Sequence, residues 1–78
     1  MSHNDPLFNV IHGMFSFGIT KPETARNIDE IREIIKLDKS IDLATVLDTL
    51  VKEGYVSTLE NRFFLLGKGI VAVAAIFT

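Results

Sequence analysis

Three residues near the start of the chain, His3, Asp5 and His12, are the only set whose types suit a metal ion, and their spacing matches no ligand pattern with a mechanism behind it. Zero cysteines remove thiolate ligands, iron–sulfur sites and disulfides. His12 and Ser16 stand one helical turn apart, a spacing that could let an imidazole activate a hydroxyl. No orienting carboxylate or oxyanion feature accompanies them, so they do not make a hydrolase. His12 reads more simply as an exposed helix residue. Gly67-Lys68-Gly69 is too short for a phosphate cradle, which needs the length of G-x-x-x-x-G-K-[ST]. The sequence therefore reads as a chain without a catalytic site, a metal or a cofactor, and its chemistry must be sought in binding.

The elements that would position binding residues are well marked. Asp5 caps a first helix and Pro6 fits its first position, where a missing N–H costs nothing. Leu7, Val10, Ile11 and Met14 share one face of it, with Phe8 and Phe15 at the flank, and Phe17-Gly18 closes it before an extended Gly18-Ile19-Thr20. The second helix has two capping-box starts, Thr20-Lys21-Pro22-Glu23 and Asn27-Ile28-Asp29-Glu30. The later start is favoured, with residues 21–26 as a loop or loose turn. Ile28, Ile31 and Ile35 then share a face. A third helix runs from Ser40 to Glu53, capped by Asp38 or Ser40, with Leu43, Val46, Leu47 and Leu50 as an i, i+3, i+4, i+7 stripe and Gly54 at its end. Residues 55–59 and 62–66 read as a hairpin turning at Glu60-Asn61. Gly67-Lys68-Gly69 leads into a last helix, on which Ile70, Val73, Ala74 and Phe77 line one face while Val71, Ala72, Ala75 and Ile76 make the other face apolar too.

Composition narrows the class. Residues 1–78 form one small domain, near the size at which a single core is only just sufficient, so an apolar fraction of 47% is generous and argues against disorder. Residues 70–77 are uncharged and apolar, but a membrane span needs roughly 20 such residues. They read as a buried helix rather than an anchor. The first residues carry no basic stretch followed by an apolar one, so no secretory signal is expected, and the chain reads as cytoplasmic. A net charge of −2 and a pI near 5.5 weigh against strong non-specific nucleic-acid binding unless acids and bases collect on different faces.

Helix, helix, helix, two-stranded wing and trailing apolar helix is the winged helix-turn-helix arrangement, an α+β fold that is mostly helical. From Ile28 to about Val73 the chain resembles small regulators of the MarR, PadR and ArsR type. The likeness rests on Leu43, on Leu47-x-x-Leu50-x-x-x-Gly54-Tyr55-Val56, on the apolar hairpin, and on Leu66-x-Lys68-Gly69, which is similar to the L-T-x-K-G that ends many such wings. The resemblance implies that residues 40–53 form a recognition helix for the major groove of double-stranded DNA, with the wing tip beside it. Ile41, Thr45, Asp48 and Lys52 would then face outward, with Asp42 and Thr49 beside them. On that basis the DNA-contacting candidates are Lys36, Lys39, Ser40, Thr45, Thr49, Lys52, Asn61 and Arg62. The outer face offers no Arg or Asn for bidentate contacts to guanine or adenine. Arg26 and Arg32, interleaved with Glu23, Asp29, Glu30 and Glu33, read as an ordinary solvated face with local pairing.

Two functions follow. One is a DNA-binding transcriptional regulator that dimerises through the first helix and the Val71, Ala72, Ala75 and Ile76 face of the last. The other is a winged-helix protein-interaction module without DNA binding, whose apolar last helix docks on a larger partner.

Overall fold

The computed structural model describes residues 5–77. Among them are four α-helices and a three-stranded antiparallel sheet, an α+β arrangement that is mostly helical and compatible with a winged-helix layout. Helix α1 spans Pro6–Ser16; the Asp5 carboxylate accepts the Leu7 amide at 2.8 Å and Pro6 opens the helix. Its C-terminus turns through Gly18 at φ +71°, where the Ile19 N–H reaches the Met14 carbonyl at 2.9 Å and the Gly18 N–H reaches Phe15 at 3.1 Å. This paired closure satisfies two carbonyls that a helix end otherwise leaves open. Phe8, Val10, Ile11 and Met14 are the buried face, whereas Leu7, expected there, is only half-buried. Phe8 is held inward with its ring stacked on His12, centroids 5.6 Å apart.

The stretch expected as a loop or loose turn before the second helix is a turn followed by a short strand. The Thr24 hydroxyl accepts from the amides of Thr20 and Lys21, closing Pro22–Thr24 as one 3-10 turn instead of starting a helix. Ala25 follows in an extended conformation and is buried, which delivers Arg26–Asn27 as a short strand, β1. A strand of two residues has no periodicity to betray it. Helix α2, Ile28–Ile34, begins at the later of the two capping boxes: Asn27 Oδ1 accepts the Glu30 amide at 2.8 Å, and Glu30 Oε1 accepts the Asn27 amide at 3.0 Å. Ile31 and Ile35 are buried and Ile28 half-buried.

Helix α3 spans Leu43–Lys52, so it starts later than expected and is capped by neither Asp38 nor Ser40. Asp42 is the cap, accepting the Ala44 amide at 3.1 Å. Asp38 instead closes the preceding turn, its carboxylate taking the Ser40 amide at 2.9 Å and its carbonyl the Ile41 amide at 2.9 Å. Asp42 stays exposed beside the outer helix face, next to Thr45. Ile41, expected outward, lies in the loop, half-buried against the core. Leu43, Val46, Leu47 and Leu50 are buried as the stripe predicts. Gly54, at φ +82°, ends α3 with the same paired closure as α1: Tyr55 N–H to Leu50 at 3.0 Å and Gly54 N–H to Val51 at 3.1 Å.

Strands β2, Val56–Leu59, and β3, Arg62–Leu65, turn at Glu60 and Asn61, both with positive φ (53° and 64°). That is the type I′ geometry matching the twist of a two-residue hairpin. Sheet order is β1-β3-β2, with Arg26 opposite Phe63 and Asn27 opposite Arg62 on one side of β3 and Leu59 opposite Arg62 on the other. Val56, Thr58, Phe63 and Leu65 share one face, since alternate residues of paired strands point the same way. Val56 and Leu65 are the buried pair of that face.

Helix α4, Gly67–Ala74, absorbs the Gly67-Lys68-Gly69 segment expected to precede it and passes into a 3-10 turn, Ala75–Phe77. Its entry converges on one residue. The Leu66 amide donates to the Tyr55 carbonyl at 2.9 Å, and Lys68 Nζ stands 4.6 Å above the centroid of the Tyr55 ring while donating to the Glu53 carbonyl at 2.8 Å. A Cβ on Gly69 would lie 2.5 Å from the Tyr55 carbonyl oxygen and 2.6 Å from Leu65 Cδ1. Backbone on one side and core on the other leave no room for it.

Gly69→Ala is therefore expected to destabilise the fold by about 1–3 kcal/mol, the range for an overpacked site, read by urea denaturation. Glu60→Asn, which replaces a residue poorly suited to the left-handed region by one that tolerates it, is expected to raise stability by about 1 kcal/mol, seen as a higher Tm.

Candidate nucleic-acid interface

Helix α3 presents its exposed side between two depressions that meet at its first turn. The first, about 340 Å³, is lined by Arg32, Ile35, Lys36, Leu37, Asp38, Lys39, Ile41 and Leu43. The second, about 400 Å³, runs between α3 and the hairpin, and Ala44, Asp48 and Val51 face Ile28, Thr58, Asn61 and Phe63 across it. Leu43 belongs to one and Ala44 to the other.

The structure thus gathers the candidate residues into separate places. Lys36 and Lys39 stand together in the first depression, exposed and without a hydrogen bond or carboxylate partner among the described residues. Arg32 joins them; its Nη1 meets Asp29 Oδ1 at 2.9 Å, an exposed pair of small energetic weight that leaves the other guanidinium donors open. Local pairing with Asp29 is as the sequence suggests, but membership of this basic group is an addition. Helix α2 ends at Ile34, so it is the α2–α3 turn, and not a shared helix face, that brings Lys36 and Lys39 beside Arg32, and no sequence spacing signals it. Ser40 is exposed, with its amide in the Asp38 turn. Asn61 lines the second depression. Arg62 is exposed next to the hairpin tip, across from Leu59, on the strand face opposite Phe63.

Along α3 itself the polar groups are largely used within the helix. The Thr45 hydroxyl donates to Asp42 Oδ2 at 2.8 Å and the Thr49 hydroxyl to the Thr45 carbonyl at 3.0 Å. Lys52 Nζ meets Asp48 Oδ2 at 3.1 Å. A ligand reaching this face would have to displace local bonds or use hydroxyl lone pairs.

The Thr45 hydroxyl also holds the Asp42 carboxyl below its ordinary value of 3.8, with smaller help from backbone amides. Asp38 is lowered in the same sense by the Ser40 amide and hydroxyl. Of the two, only Asp38 lines the depression that holds Lys36 and Lys39.

The face of α4 expected to join two copies is divided. Val71 is 67% exposed and Ala75 exposed, but Ala72 and Ile76 are half-buried and pack on this chain's own core. Ala74, expected inward, is exposed. The helix buries a line centred on Gly69 and Val73, with Ile70, Ala72 and Ile76 flanking it. The Phe77 side chain, expected inward, lies outside the described residues. Phe15 and Phe17, at the end of α1, are exposed at 43% and 60%.

Near the start of the chain, Asp5 serves as a helix cap and the Ser16 hydroxyl donates to the His12 carbonyl rather than to its ring. His3 lies outside the described residues. Among the described residues no cluster of three or more His, Cys, Asp or Glu side chains could hold a metal ion, and no helix is long and apolar enough to cross a membrane. Comparison with protein-family models, with curated proteins and with solved structures finds no match.

Because Asp42 is lowered in the folded state, its capping bonds are complete above the unfolded-state value and are lost as pH falls through the folded one. Amide exchange at Ala44 and Thr45, measured by NMR, is expected to accelerate as pH is lowered from about 4 relative to amides at the Gly54 end of α3. In Asp42→Asn, which caps without titrating, that local acceleration is expected to disappear.

Proposed function

We propose that this chain is a small winged-helix DNA-binding protein, a cytoplasmic transcriptional regulator that works as a homodimer. Helix α3 is its recognition helix, the β2–β3 hairpin its wing, and α2 with the turn before α3 the remainder of the helix-turn-helix. The observation that carries this reading is the pair of exposed cations Lys36 and Lys39, unpaired among the described residues, just before the first turn of α3, with Arg62 exposed and likewise unpaired next to the hairpin tip. Those positions suit contacts to the phosphate backbone that set register without reading bases. Thr45, Thr49, Lys52 and Asn61 face or flank the same helix surface, and Ser40 lies in the turn before it. With two α3 hydroxyls already donating locally, recognition by shape and backbone fits better than dense base contacts. The exposed Val71 and Ala75, together with Phe15 and Phe17, support pairing of two copies along α1 and α4. Two weak half-sites on one duplex then act with the gain of linkage.

A second reading has its own support. The depression between α3 and the hairpin is floored by Ile28, Val51 and Phe63, and the chain carries a net charge of −2. Both suit an interaction module that binds protein instead of DNA.

Fluorescence anisotropy of mixed-sequence duplex DNA, titrated at low and then physiological salt, separates the two. Saturable binding that weakens steeply with salt is expected. Arg62→Ala, or Lys36→Ala with Lys39→Ala, is expected to weaken it and to flatten the salt slope by about 0.9 for each phosphate no longer neutralised. No binding at low salt would turn the proposal toward the interaction module.

A further inference from the structure

We infer that the depression formed by the end of α2, the α2–α3 turn and the start of α3 is a binding site for a small organic anion, a carboxylate carried on an apolar body. Its volume of about 340 Å³ lies within the range of small-molecule pockets. Its lining sorts into two kinds of chemistry. Ile35 and Leu43, each under a tenth exposed, with the half-buried Leu37 and Ile41, provide an apolar floor. Arg32, Lys36 and Lys39 provide three cations; Asp38 is the one carboxylate on the lining, and Asp29, bonded to Arg32 from outside it, offsets part of the Arg32 charge, so the excess rests on Lys36 and Lys39.

Asp38 does not neutralise that excess by pairing with a lysine. Its carboxylate oxygen accepts the Ser40 amide at 2.9 Å, and among the described residues it forms no ion pair. Lys36 and Lys39 are accordingly left with ammonium groups open to a ligand, and the Arg32 guanidinium keeps donors beyond the one on Asp29. A local charge excess in a chain of net charge −2 marks the depression off from its surroundings. An anion alone would leave the isoleucine and leucine floor wet, and an apolar molecule alone would leave the cations unused. Only a ligand carrying both kinds of surface uses the whole site.

The inference does not depend on DNA binding, and its test needs no DNA. The probe is 1-naphthoate, titrated into the ¹⁵N-labelled full chain and followed by amide chemical shifts, with 1-naphthamide as the uncharged isostere and inorganic phosphate as the bare anion. Saturable shifts confined to residues 32–43, with Kd of about 1 mM or tighter, are expected for naphthoate. Binding at least tenfold weaker is expected for the amide and for phosphate. Lys36→Met with Lys39→Met, which keeps the stems and removes the charges, is expected to weaken naphthoate at least tenfold while the remaining amide shifts stay native. Lys36→Arg with Lys39→Arg is expected to retain binding. Equal response to naphthoate and naphthamide, equal response to naphthoate and phosphate, shifts spread across the chain, or no response would each overturn the assignment.

Discussion

The close approach of α4 to the start of the hairpin is the constraint on which the rest of the chain's second half depends. Tyr55 donates its amide to α3 and accepts the Leu66 amide at its carbonyl, and its ring lies beneath Lys68. Lys68 in turn covers the Glu53 carbonyl at the end of α3, the negative end of the helix dipole. One residue thus ties three elements together, and the missing side chain at Gly69 lets them come close enough to bond. Lys68 and Gly69 of the Leu-x-Lys-Gly pattern consequently have structural roles in this molecule that need no ligand.

A similar logic governs the charges. Asp5, Asp42 and the Asn27–Glu30 pair are used at helix starts, and Asp38 is used in a turn. These acids are fixed by backbone amides, which are abundant at helix N-termini and attract negative charge there. No equivalent demand exists for Lys36, Lys39 and Arg62. A chain with more acids than bases can therefore leave these cations open, because several of its acids are engaged by backbone amides and not by lysine or arginine.

Much of the fold is legible in the sequence because its signals are local. The Asp5-Pro6 start, the reciprocal box at Asn27 and Glu30, the Leu43-to-Leu50 stripe, Gly54 and the Glu60-Asn61 turn each depend on residues within a few positions of one another. The features that escape the sequence depend on partners far along the chain. β1 exists because Phe63 and Arg62 stand opposite it, and Ala25 is buried although no helical face carries it. At the start of α3, three residues able to cap fall within five positions, Asp38, Ser40 and Asp42, and sequence cannot rank them. Of the candidate interface, Lys36 and Lys39 are readable as a pair, whereas the convergence of Arg32 on them and the internal use of the Thr45 and Thr49 hydroxyls are matters of geometry.

β3 is the central strand of a three-stranded sheet, where the sequence reads only a two-stranded hairpin. On one side it carries β2, its near neighbour in the chain; on the other it receives β1, and the Leu65 amide is bonded to the Ile19 carbonyl at 2.8 Å. The first partner needs only a two-residue turn, while the others require closure of a loop that contains α2, α3 and β2. Loop-closure entropy orders these events: α3, the hairpin and the entry of α4 form a contiguous block with short-range contacts, and α1 with β1 must be brought to it from a distance. The second edge of this sheet therefore carries a larger closure cost than the first, and the central strand joins one pairing that is local to one that is not.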